Sequence, residues 1–222
     1  MYLYLSPEIM EQQPTSEKWM TLDTSKPIWH RFFTVAPLVV IGTKEGDAYD
    51  LAPKHMATPL GHDNYFGFVC TPQHATYHNA RREGFFTVSF VTPDQVVLAS
   101  LMATPRRGEH KEIPAVKQVP TRPAREFDAL VLKDAYLCLE CELDRIVDGF
   151  GDFSLIAGKI VAAYVRHEAL RVSEGDDARV IADMPMLAYL AYGRFATISE
   201  SMAFPYPKHF EQPVLPKKTS HG

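Results

Sequence analysis

Two short segments carry the residue types from which a ligand site could be built. Asp50-Leu51-Ala52-Pro53-Lys54-His55-Met56 sets a carboxylate, an amine and an imidazole around a proline at a strand end. A proline there interrupts the ladder and frees backbone N–H and C=O groups. His74-Ala75-Thr76-Tyr77-His78-Asn79 reads as a loop entering a helix, followed by Arg81 and Arg82. At a helix N-terminus a hydroxyl, an amide and the first-turn N–H groups favour an anion. Together the segments supply what a flat heteroaromatic phosphate ester requires: backbone donors for ring carbonyls, and hydroxyl, amide and dipole groups for the phosphate. A turn followed by a capped helix explains the same residues with no ligand at all.

Other constellations are weaker. Cys138 and Cys141 form a C-x-x-C, the spacing of a redox pair or half a zinc site. In LCLECEL, however, Leu137, Leu139, Cys141 and Leu143 alternate with Cys138, Glu140 and Glu142. On a strand the two sulfurs then point to opposite faces, with α-carbons about 10 Å apart. We read both, and Cys70, as buried core thiols. Of nine histidines, only His74 and His78 have i, i+4 spacing, and Thr76, taken as the helix N-cap, places His74 outside that helix. No zinc motif, G-x-S-x-G elbow, P-loop or G-x-G-x-x-G is present, so no metal is expected, and hydrolase, kinase or Rossmann chemistry has no sequence support.

The elements that must position these residues are mostly strands. Val35 to Thr43 is β-branched and apolar on both faces, and Glu45-Gly46-Asp47 provides turn residues. The return strand AYDLAP stops at Pro53, and Asn64 to Cys70 makes a third strand. A short helix capped by Thr76 and closed by Gly84 leads to a strand over Phe85–Val91, and residues 94–102 have helical spacing. Residues 103–126 hold four prolines and read as a long irregular loop. Ala135–Val147 and Phe153–Val165 are long strands joined by GFGD, a hairpin turn. Residues 168–200 look partly helical, and the four prolines of the tail favour an extended segment.

The whole is one decorated domain of 222 residues: an N-terminal arm over 1–32, a main domain over 33–200 and a Pro-rich tail over 201–222. Trp19 and Trp29 are the features by which the arm could pack against something. With 46% hydrophobic and 23% charged residues the chain can bury a sizeable core. A formal charge of −4 leaves no basic excess for a nucleic acid. No apolar stretch approaches the roughly 18 residues of a membrane span. An N-terminus without a basic start and apolar run, and only three cysteines, suggest a reducing, cytoplasmic setting. Six or seven strands with a few short helices suit a small antiparallel barrel better than alternating βαβ units.

The order of these pieces resembles the flavin reductase-like family, whose members fold as an FMN-binding split barrel. PLVVIGTKEGDAYDLAP looks like its opening hairpin, and HATYHNARREGFFTVSFV like its K-x-T-x-x-N segment and following strand. ALVLKDAYLCLECELDRIV with FSLIAGKIVAAYV looks like its paired later strands, and MLAYLAYGRFATI like its closing segment. The resemblance runs from about Phe33 to Ile198. It implies a mainly β, Greek-key antiparallel split barrel that binds FMN and oxidises NAD(P)H, passing hydride to the flavin N5. It also implies a homodimer with the flavin at the subunit interface, and a possible monooxygenase partner receiving reduced flavin.

Carried over by position, Leu51, Ala52 and Pro53 line the flavin through their backbone, with Lys54 and His55 near the ring or phosphate. Thr76 and Asn79 meet the phosphate or ribityl chain, His74 stands where a lysine is common, and Arg194 follows the closing glycine segment. No side chain need act as acid or base. Asp50 stands where asparagine is usual, His55 where serine is, and Tyr192 where a glycine is. An acidic Asp50 beside the ring disfavours an anionic reduced flavin. Two other readings keep the barrel: an FMN-binding electron-transfer or flavin-holding module without turnover, and a flavin-free interaction barrel.

Overall fold

The computed structural model describes residues 18–103, 118–171, 177–191 and 193–207. Its elements are β1 (Val35–Pro37), β2 (Val39–Glu45), β3 (Ala48–Lys54), β4 (Ala57–Pro59), β5 (Tyr65–Cys70), α1 (Ala75–Glu83) and β6 (Phe85–Phe90). There follow α2 (Val96–Met102), β7 (Thr121–Pro123), β8 (Leu130–Leu132), β9 (Leu137–Phe150), β10 (Phe153–Val165), α3 (Asp177–Asp183), β11 (Met186–Leu190) and β12 (Arg194–Ile198). Seven strands form one antiparallel sheet in the order β3-β2-β6-β9-β10-β5-β4, and β1-β11-β12 form a second.

One connection dictates the shape of the main sheet. Its two edges, β3 and β4, are joined by His55 and Met56 alone. In a flat seven-stranded sheet the edges lie about 29 Å apart, whereas that link spans only about 10 Å. The sheet must therefore roll until its edges approach, and because β3 and β4 do not pair, the barrel is split along that seam. The fold is the expected mainly β, split-barrel one.

Rolling the sheet creates an inner core and an outer one. Val39, Ile41, Phe66, Phe68, Phe86, Val88, Leu139, Cys141 and Ile156 fill the barrel, with Tyr77 and Ala80 of α1 packed among them. Val40, Leu51 and Cys138 face outwards against Ala99 and Met102 of α2, Leu132 of β8 and Leu187 of β11. This explains why β2 is buried along Val39–Thr43 without alternation. It also sends Cys138 and Cys141 into different cores, both as free thiols. Burial pushes the Cys141 thiol up to about 12.

Several elements depart from the sequence expectation. The first apolar run divides at Leu38: β1 pairs with β11, and only β2 enters the barrel. Strand β3 does not stop at Pro53 but continues to Lys54, with Pro53 opposite Val40. A proline is tolerated there because β3 is an edge strand. The helix over 94–102 begins as a single 3-10 turn, Pro93–Gln95, before α2. Part of the long loop is a small ribbon, β7 with β8. Between 168 and 200 the regular helix α3 is short, and β11 and β12 are strands. Residues 104–117, most of the tail and residues 1–17 lie outside the described residues, as does Tyr192. Trp19 and Trp29 are both exposed, at 86% and 55%. Among the described residues no helix is long and apolar enough to cross a membrane.

On β9 one acidic side chain is covered while Glu142 stays exposed. Glu140 is fully buried, and its carboxylate accepts the backbone N–H groups of Arg125 (2.7 Å), Glu126 (2.8 Å) and Phe127 (3.2 Å). The loop after β7 is thus strapped to the barrel by one side chain.

Candidate functional site

The strand period of two divides the first candidate segment between the faces of β3. Asp50 lies opposite Thr43 and turns towards α1, while Leu51 points into the outer core. Lys54 follows Asp50 on the inner side, and Pro53 follows Leu51 on the outer side. The other long side of β3 pairs with no strand among the described residues, so alternate backbone N–H and C=O groups lack a ladder partner.

On the inner side the second segment meets the first. Helix α1 starts at Ala75, with His74 as an extended N-cap that makes no side-chain capping bond. Thr76 is therefore not the cap. Its hydroxyl, one residue inside the helix, donates to Asp50 Oδ2 at 2.9 Å. Asn79, one turn on, donates its amide to Thr43 Oγ1 at 3.2 Å and accepts from Arg82 at 3.0 Å. Thr76 and Asn79 are each 2% exposed and Asp50 is 4% exposed, so these bonds pin α1 across the barrel end. At the other terminus Gly84 takes the left-handed conformation (φ 76°) and caps Ala80. Burial and the Lys54 ammonium hold the His74 imidazole below its usual value, against an opposing pull from Asp50.

On the outer side lies a cavity of about 530 Å³, a size ordinary for small-molecule sites. Leu38, Pro53, Val96, Ala99, Leu101 and Phe195 make it largely apolar, and Ser100, His55, Tyr189 and Arg194 bring polar groups to it. His55, in the link across the seam, stacks on Tyr189 of β11 with centroids 4.6 Å apart and planes 27° apart. The Tyr189 hydroxyl accepts the Gly193 N–H at 3.1 Å, which fixes the ring. Burial, and then Lys54, push His55 below the usual imidazole value. Arg194 stands exposed at the rim.

The candidate residues thus form two groups. Asp50, Lys54, His74, Thr76 and Asn79 gather at the mouth of α1, and Pro53, His55 and Arg194 at the cavity. Leu51 offers only backbone, its side chain being in the core, and Ala52 is half-buried. Tyr189 and the α2 wall are contributions the sequence did not single out. The helical spacing of α2 was legible, but nothing local marks which cavity it lines. Among the described residues no three His, Cys, Asp or Glu side chains gather to hold a metal ion.

A family profile described as flavin reductase like domain matches residues 31–196. In structure the chain is similar to the 2-nitrobenzoate 2-nitroreductase of Pseudomonas fluorescens, with 18% identity, TM-score 0.69 and coverage of 86% of this chain and 95% of that one. It is similar to an FMN-binding protein from Thermus thermophilus solved with bound p-hydroxybenzaldehyde, with 21% identity, TM-score 0.65 and coverage of 85% and 99%. A nitrilotriacetate monooxygenase component B homologue from Mycobacterium thermoresistibile gives 14% identity, TM-score 0.64 and coverage of 82% and 90%. At these identities the likeness is one of fold. No curated protein sequence matches the chain.

Proposed function

The chain belongs to the flavin reductase like domain family, and from that premise we propose that it is an FMN-binding oxidoreductase, most simply an NAD(P)H-dependent flavin reductase. One observation carries this reading. Within the step from Lys54 to His55, the edge of β3 passes from the polar mouth of α1 to the apolar cavity. An elongated molecule with a flat ring at one end and an anion at the other suits that path.

The residues present fit a flavin. Pro53 and the His55–Tyr189 stack offer a flat apolar wall against which a ring system packs and from which water is excluded. Backbone groups of Leu51 to Lys54 along the outer edge of β3 orient ring carbonyls. Lys54, His74 and the first amides of α1 face the anionic end, while Thr76 and Asn79 hold α1 in register with β3 and β2. Arg194 closes the rim. Bound there, FMN supplies a two-electron acceptor for the hydride of a reduced nicotinamide. The chain itself contributes position and dryness, and no side chain is assigned as acid or base.

In the same reading the chain is a homodimer with the flavin slot at the interface. Val97, Leu101 and Phe195 support this, because they surround the cavity and are largely exposed. A monooxygenase that receives reduced flavin is the partner suggested by the likeness to a monooxygenase component.

Titrating the protein with FMN while following flavin fluorescence tests the reading. Saturable quenching, then oxidation of NADH or NADPH when FMN is added, is the expected result. Quenching with no nicotinamide oxidation assigns a flavin-holding or electron-transfer module instead, and no quenching removes the flavin.

A further inference from the structure

We propose that Arg194 chooses the electron donor: its guanidinium receives a ribose 2′-phosphate at the rim of the outer cavity, so the chain oxidises NADPH in preference to NADH. The inference rests on the flavin reductase reading above and names the donor which that reading leaves open.

The backbone that carries Arg194 is fixed. It opens β12 opposite Leu190, and the turn before it holds Gly193 in the left-handed conformation (φ 77°), with its N–H on the Tyr189 hydroxyl at 3.1 Å. Arg194 thus stands exposed at the cavity rim, next in the chain to the half-exposed ring of Phe195, which lines the same cavity. A guanidinium keeps its charge at any working pH and presents a planar fork of donors that matches a phosphate. Among the described residues no acidic side chain pairs with Arg194. Its charge is open to a ligand.

Which anion it meets follows from where the other groups lie. In the flavin reading the FMN phosphate faces Lys54, His74 and α1 on the inner side, which leaves Arg194, at the outer cavity, to the second ligand. Both nicotinamide donors carry the same pyrophosphate, and only NADPH adds a terminal phosphate on the adenosine ribose. Dinucleotide sites that select NADH place an Asp or Glu to accept the ribose 2′-hydroxyl, and that carboxylate repels a 2′-phosphate. Among the described residues lining this cavity there is no Asp or Glu, and the ionisable side chains are His55, Tyr189 and Arg194. The rim therefore offers a 2′-hydroxyl no carboxylate and a 2′-phosphate a bidentate cation, while Phe195 offers the adenine a ring face.

The test compares NADPH with NADH as donors to the FMN-loaded protein, and adenosine 2′,5′-bisphosphate with adenosine 5′-monophosphate by titration calorimetry, in wild type and Arg194→Gln. The two adenosine ligands differ only by the 2′-phosphate and report binding without turnover. Wild type is expected to favour NADPH in kcat/KM, and the bisphosphate in Kd, by about fivefold or more, and Arg194→Gln to cut both ratios by about fivefold or more. A wild-type ratio below about fivefold in either comparison overturns the proposal, and needs no variant to fold. So does a smaller cut in the variant, the result expected if Arg194 held the pyrophosphate that both donors share. In either case the flavin reductase reading stands. Protein that oxidises neither donor overturns that reading and this proposal together.

Discussion

The imidazole of His55 lies stacked on the ring of Tyr189, 4.6 Å between centroids, and this one contact ties the seam of the barrel to the second sheet. His55 belongs to the two-residue link that forces the sheet to roll, and Tyr189 is paired in β11 between β1 and β12. The flat wall of the cavity is thus a product of the topology rather than of either segment alone.

If that wall packs against the flavin ring, Tyr189→Leu weakens FMN and riboflavin equally, by about 3- to 10-fold, the usual worth of an aromatic pair. Fluorescence titration with both ligands checks it. A loss confined to FMN would place Tyr189 near the phosphate instead.

The lowered imidazoles predict how stability responds to acid. In the folded chain, burial and Lys54 disfavour the charged forms of His55 and His74, so the unfolded chain takes up protons first. Stability is complete well above the ordinary imidazole value of about 6.5, declines as pH falls through it, and levels off below the lowered folded values. Melting temperature should drop between about pH 7.5 and pH 5, and His55→Phe, which keeps a ring on Tyr189, should shrink the drop. An unchanged pH response in that variant would mean that His55 does not contribute.

Glu140 is expected to matter for folding and not for ligand. Its carboxylate receives three backbone N–H groups. Glu140→Gln leaves an amide nitrogen facing donors and should cost about 2–4 kcal/mol in denaturant unfolding. A loss below about 0.5 kcal/mol would show that the loop finds other partners.

How much of this was legible in the sequence depended on how local the cause was. The unbroken apolar run Val39–Ile41 marked a strand covered on both faces, and Phe153–Val165 with its GFGD turn marked the long hairpin with β9. The alternation of LCLECEL separated Cys138 from Cys141, as the two cores require. The helix start was misread because the Thr76 hydroxyl is claimed by Asp50, 26 residues away, instead of by its own helix. Met186–Leu190 is a short apolar run that periodicity cannot assign to strand or helix, and only pairing with β1 and β12 decides it. The burial of Glu140 was not legible, because the backbone at 125–127 that covers it reaches β9 only in the folded chain. The cavity was out of reach for the same reason: its walls come from β3, α2 and β11, brought together by the rolled sheet.

The central claim is that one ligand lies across the edge of β3, ring in the cavity and anionic end at α1. A crystal structure of the chain with FMN tests it most directly. The account predicts the isoalloxazine against His55 and Tyr189, and the phosphate beside Lys54 and His74. Density for the flavin on any other face, with this seam empty, would contradict it.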